Sequence, residues 1–140
     1  MTTKKPTTWQ LWTLHFETAA SVLAEVEDEI RAHGLETKEL FLLEKLDEHP
    51  HPAELARVLL MPKPSVTFLV KRLERAGFVK RELDPQDLRR FRLTLTAAGR
   101  AAMEKARAAL EAGFGRRLAR LSPPERAELA RLLTAMQRAK

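Results

Sequence analysis

A chain of 140 residues that is 44% hydrophobic and 31% charged is long enough to bury a core of its own and ordinary enough to be globular. It contains no cysteine, which excludes thiol catalysis, zinc-finger chemistry and cysteine-based redox sensing, and no apolar run long enough to span a bilayer. The net charge of +6 is unevenly spread: residues 1–50 carry 5 basic and 10 acidic side chains, residues 51–96 carry 10 and 5, and residues 97–140 carry 10 and 4. A basic middle segment suits a polyanion, although a solvated basic surface would read the same way. The stretch Met1 to Thr8 is polar, without the apolar centre of a signal peptide, so a cytoplasmic location is expected.

The first predicted helix carries Trp9, Trp12, Phe16, Ala19, Leu23, Val26 and Ile30, spaced alternately three and four apart. That is an a/d seam over three heptads, covered either by a partner helix or by the core of one subunit. Gly34 ends it. Thr37 is the expected N-cap of a second helix bearing Leu40, Phe41, Leu43 and Leu46. The His49-Pro50-His51-Pro52 run breaks the chain. A third helix begins at Pro52, with His51 as its cap, and continues through Leu55, Ala56 and Leu59. After the turn Leu60-Met61-Pro62, a fourth helix starts near Lys63, buries Val66, Leu69, Val70 and Leu73, and closes at Gly77.

The period then changes from helix to strand. Residues 78–82 and 89–95 read as two strands, the second alternating Phe91, Leu93 and Leu95 with polar neighbours, and residues 83–88 form the loop of a hairpin. Thr96 caps a long fifth helix with an apolar line at Met103, Ala106, Leu110, Phe114, Leu118 and Leu121. Gly113 and Gly115 cost helix propensity there and permit either close helix approach or a bend. Ser122-Pro123-Pro124-Glu125 is a capping-box start for a last helix with Leu129, Leu132, Leu133 and Met136 on one face.

Three short helices and a hairpin between long helices make a mainly α fold with a small β wing, a winged helix-turn-helix. Its expected parts are an N-terminal dimerisation helix over residues 8–34, the DNA-binding domain over 35–96, and C-terminal dimerisation helices over 97–140. The fourth helix buries one face and leaves Lys63, Ser65, Thr67, Phe68, Lys71, Arg72 and Arg75 free. Hydroxyls and small apolar contacts read bases, and cations hold phosphates, so this helix is the candidate for the major groove.

Three blocks carry a family resemblance. The run from Pro64 to Val79 resembles the recognition helix of MarR-family regulators. Asp84-Pro85-Gln86-Asp87-Leu88-Arg89-Arg90 resembles that family's wing tip, and Leu93-Thr94-Leu95-Thr96-Ala97-Ala98-Gly99 is similar to its exit from the wing. The blocks stand in the family's order across residues 35–100, while the flanking helices match in layout only. The resemblance implies that Arg89 enters the minor groove, that Asp87 orients it, and that Arg90 joins the DNA contact. Two residues depart from the pattern. Phe68 stands where a polar or basic residue is usual, to be explained by thymine-methyl contact or by partial burial of its ring. Pro62 replaces the small hydroxyl residue that would cap the recognition helix.

The resemblance further implies a homodimeric repressor on a palindromic operator, its affinity altered by a small aromatic effector. Trp12, His15, Phe16 and Phe41 are the candidate lining of an effector pocket. A nucleoid-coating protein of the same fold, or a winged-helix protein-interaction module, is the alternative. His49 and His51 lack the further ligands a metal site needs, and neither a phosphate-cradling glycine loop nor a nucleophile with its base is present, so no cofactor, metal or catalytic residue is assigned. Glu25, Glu27, Asp28 and Glu29 near the start face a basic end with Arg116, Arg117, Arg120 and Arg131, which suggests that these helices meet.

Overall fold

A computed structural model describes residues 4–137 as six helices and one hairpin, in the order α1 (Thr8–Ala32), α2 (Thr37–Leu46), α3 (Pro52–Leu59), α4 (Lys63–Arg75), β1 (Val79–Asp84), β2 (Asp87–Leu95), α5 (Ala97–Leu118) and α6 (Pro123–Gln137). One hydrophobic core runs from Val26 and Ile30 of α1 through α2, α3, α4 and both strands to Met103 and Ala106 of α5.

The seam on α1 divides in two. Its C-terminal half is core, but the buried line is Val22, Val26 and Ile30, with Leu23 only half-buried. A straight helix drifts about 20° per heptad against a 3.5-residue repeat, so an i, i+4 line takes over from the alternating one. Trp9, Trp12, Phe16 and Ala19 are exposed. α1 packs on α5 where Gly113 lies: a Cβ there would meet Val26 Cγ1 at 2.4 Å, so this glycine serves close approach. The expected meeting of charges occurs here for Glu25, paired to Arg117 and 4.0 Å from Arg116, whereas Glu27 and Asp28 turn to Arg31 and Arg131 to Glu128.

Helix α2 begins one residue earlier than expected. Its N-cap is Glu36, not Thr37, because Glu39 turns back to accept the Glu36 amide at 2.7 Å. Helix α3 starts at Pro52 with His51 at its N-cap position, as expected, but the His51 side chain makes no capping bond and goes elsewhere. Between α3 and α4, Leu60 adopts the left-handed conformation at φ 55° and is exposed, which turns the chain into α4. Pro62 is the α4 N-cap and offers no side-chain bond, as its sequence implied.

β1 begins at Val79, one residue later than expected, and both strands run further toward the turn, pairing antiparallel from Val79↔Leu95 to Leu83↔Phe91 and, past a bulge, at Asp84↔Asp87, which leaves only Pro85 and Gln86 between them. Thr96 fastens the wing's exit: its hydroxyl donates to Gly77 O at 2.6 Å and accepts the Gly99 amide at 3.0 Å. On α5, Met103 and Ala106 are buried, Leu110 and Leu118 half-buried, and Phe114 exposed, while Leu121 lies past the helix end. Ser122 and Glu125 form the expected capping box of α6. Within the subunit α6 buries none of its residues; Leu129 is half-buried and Leu132, Leu133 and Met136 are exposed.

Candidate nucleic-acid interface

Helix α4 is divided by its packing. Val66, Leu69, Val70 and Leu73 enter the core, and on the far side Lys63, Thr67 and Lys71 form an exposed i, i+4 ridge. The Thr67 hydroxyl donates to Lys63 O at 3.0 Å, which leaves its oxygen to accept. Phe68 stands beside this ridge, 64% exposed, in a shallow depression with Pro64, Thr67 and Lys71. Partial burial of the ring is therefore excluded as its explanation within the subunit. Arg75 is exposed at the helix end.

Two expected contacts of α4 sit differently. Ser65 is half-buried and lines a cleft of about 640 Å³ with Glu27, Glu36, Thr37 and Lys38, so it faces the seam between α4 and the start of α2. Arg72 reaches the carboxylate of Glu39, with Nη2 3.4 Å from Oε1. Glu39 is nearly fully buried, and the only sign of its position in the sequence is the Glu36-x-x-Glu39 capping spacing.

At the wing tip Asp87 and Arg89 are brought together as expected. Asp87 Oδ1 accepts from Arg89 Nε at 3.0 Å and from the Arg89 amide at 3.1 Å, and these bonds hold the Asp87 carboxyl below its usual range. The Arg89 side chain is 91% exposed. Arg90 donates through Nε to Asp84 Oδ2 at 3.0 Å. Asp84, which sequence reasoning passed over, is buried at the end of β1. It accepts the Gln86 amide at 2.9 Å, His51 Nε2 at 2.9 Å and Arg90, and in that order these partners depress its pKa to about 2. An Asp-Pro turn with an amide two residues on was the available signal.

The four candidate effector residues do not converge in one chain. Trp12 stacks on Phe16 with centroids 5.9 Å apart and leans on His15 at 5.2 Å, all exposed on the first half of α1. Phe41 instead lines a largely apolar groove of about 400 Å³ between α1, α2 and α5, with Leu23, Leu110, Phe114 and Arg107. Among the described residues no helix is long and apolar enough to cross a membrane, and no group of three His, Asp or Glu side chains is placed to hold a metal ion.

Known proteins agree with this layout. The family model described as "MarR family" matches residues 33–90. The HTH-type transcriptional repressor Rv2887 of Mycobacterium tuberculosis is 34% identical over 122 residues, which span 86% of this chain and 88% of that protein. The crystal structure of the Mycobacterium tuberculosis MarR family protein Rv2887 in complex with DNA is similar with a TM-score of 0.73 at 32% identity, covering 90% of this chain and 96% of that one. The S. aureus MepR–DNA complex shares the fold, with a TM-score of 0.75 at 20% identity over 96% of this chain and 97% of that one. An exposed ridge on α4, a wing tipped by arginine and a repressor relative 34% identical across 86% of the chain lead to one conclusion: the chain belongs to the MarR family.

Proposed function

We propose that the protein is a homodimeric, cytoplasmic repressor that grips a palindromic operator with α4 in the major groove and the wing in the minor groove. The observation that carries this reading is the pairing of an exposed Lys63–Thr67–Lys71 ridge, on a helix otherwise committed to the core, with an Arg89 that is almost wholly exposed at the wing tip. In this reading Lys63 and Lys71 hold phosphates, Thr67 and Phe68 read base edges, and Arg89 and Arg90 enter or flank the minor groove. Ser65 lies at the edge of the contact. Residues 8–34 and 97–140 serve the dimer.

The relative's structures support both halves of the function, since Rv2887 is described in complex with DNA and with salicylic acid. The groove around Phe41 suits a single aromatic ring, while Arg107 at its edge is already paired with Glu44 at 3.1 Å and lies 3.6 Å from Glu111. Trp12, His15 and Phe16 stand outside that groove in one chain and belong to the effector site only if the dimer brings them there. Selection from a random duplex pool tests the function: a sequence reader enriches one palindrome and prefers it by about a thousandfold or more over random DNA. Arg89→Ala then weakens the selected site by about 1–3 kcal/mol without unfolding the protein. A protein that enriches nothing and binds every duplex alike is a coating protein instead.

A further inference from the structure

We propose that His51 is a positioning residue for DNA binding, which mounts the wing on the body of the subunit through Asp84 and thereby sets Arg90. The inference rests on the reading of the wing as a DNA contact.

A two-stranded hairpin is marginal by itself in water, so the place of its tip must come from what the strands are tied to. The tie here is the His49-Pro50-His51-Pro52 segment. Leu93 of β2 donates its amide to Pro50 O at 2.7 Å, on the edge of the hairpin away from β1. Prolines at 50 and 52 have no N–H to continue such a ladder, so the backbone supplies one bond and the side chain of the residue between them supplies the next. His51 Nε2 lies 2.9 Å from Asp84 Oδ2, and the same oxygen accepts Arg90 Nε at 3.0 Å. One buried carboxylate oxygen thus joins a ring on the body to a guanidinium on the wing. Among the described residues Arg90 uses only Nε on Asp84, which leaves its terminal nitrogens available for a phosphate.

A carboxylate lies on the other side of the imidazole, beyond hydrogen-bond distance. The ring's Nδ1 is 3.6 Å from Glu54 Oε2, and Glu54 Oε1 is 2.8 Å from His49 Nδ1. The hydrogen-bonded His49–Glu54 pair thus sits beside His51, whose own hydrogen bond is the one to the wing. Asp84 is fixed independently through Oδ1 by the Gln86 amide, so loss of His51 frees one oxygen of the carboxylate and not the whole turn.

The test is operator affinity and its salt dependence for the full chain and for His51→Ala, His51→Gln, Arg90→Ala and the His51→Ala/Arg90→Ala double variant. Residues in one network show coupling, so His51→Ala and Arg90→Ala each lose about tenfold, and the double variant is no worse than Arg90→Ala. His51→Gln, which keeps an N–H donor near the Nε2 position, recovers most of the loss. That rescue also guards against an alanine variant that merely fails to fold. Losses that multiply in the double variant, full affinity in His51→Ala, or a glutamine variant as weak as the alanine one overturn the inference and leave the proposed function standing. Full affinity in Arg90→Ala removes both this inference and the part of the proposed function that rests on Arg90.

Discussion

Arg72, on the recognition helix, pairs with Glu39 of α2, a carboxylate only 2% exposed and also bonded to the Glu36 amide. The pair ties α4 to α2, and from it we infer that Arg72, although 42% exposed, serves the subunit more than it serves a phosphate. Its neighbour Lys71 is exposed on the ridge. Lys71→Ala therefore weakens specific and random duplexes alike and flattens the salt slope by about 1. Arg72→Ala keeps the slope and lowers the melting temperature, at a cost of about 1 kcal/mol, since the guanidinium is partly solvated and Glu39 retains a backbone partner. Salt titrations and thermal melts of the two variants check the division. Equal slope changes in both overturn it.

Phe68 gives a prediction about base chemistry. An exposed ring among Pro64, Thr67 and Lys71 offers apolar surface where DNA is expected, and the apolar feature of the major groove is the thymine methyl. Replacing each operator thymine in turn by deoxyuridine removes only that methyl. One position in each half-site then loses about fourfold in affinity, the worth of one buried methyl. Phe68→Ala makes the same position indifferent. If wild-type protein tolerates every uracil, the ring reads something other than thymine.

Much of this was legible in the sequence because periodicity and turn chemistry report local choices. Thr96, Gly77 and the Ser122–Glu125 box act within a few residues of themselves or at a chain reversal, and each stands as expected. The Asp87–Arg89 pair is two residues apart and equally local. The relationships that were missed join distant segments. His51 is 33 residues from Asp84, and Arg72 is likewise far from Glu39, so no spacing rule places them together. His51 does stand at the N-cap of α3, the local choice, but tertiary structure gave its side chain a distant partner. The α1 seam misled for a related reason: it continues through two environments, one inside the subunit and one outside.

Leu60 gives a test of backbone strain. It holds a positive φ while its side chain touches solvent, so Leu60→Gly removes a steric cost of about 1–2 kcal/mol and loses little contact. The added freedom of glycine in the unfolded chain offsets part of that gain. Net stabilisation of roughly 0.5–1 kcal/mol in denaturant unfolding is expected. A destabilised variant means that Leu60 packs against something, the partner subunit first of all.

Asp84 gives a pH dependence. Its pKa in the fold is about 2, below the ordinary 3.8, because the Gln86 amide, His51 and Arg90 all favour the carboxylate. A depressed folded pKa means that the unfolded chain binds the proton more readily. The stability it contributes is present above about 4 and is lost as pH falls from there through about 2. Asp84→Asn removes that contribution at neutral pH and flattens this part of the profile. Urea midpoints measured from pH 5 to pH 2 follow the difference between the two proteins; parallel profiles contradict it.

The last prediction concerns assembly. Trp9, Leu11, Trp12, Leu14 and Phe16 are exposed on the first half of α1, and α6 buries nothing within its own subunit. Burying each large apolar side chain is worth about 1.5–3 kcal/mol, so several together outweigh the cost of association. A two-fold dimer built from these helices sets two recognition helices about one DNA turn apart, roughly 34–36 Å, and requires a palindrome. The division of the α1 seam decides which variant is informative. Removing α1 would take Val22, Val26 and Ile30 from the core and unfold the subunit. Phe16→Glu places a charge on a ring that is exposed in the single chain and leaves that core intact. Sedimentation at micromolar concentration should find the wild type dimeric and Phe16→Glu shifted toward monomer, with unchanged helix content and much weaker operator binding. A wild-type monomer that still holds its palindrome tightly would overturn the assembly, because one recognition helix cannot read two half-sites.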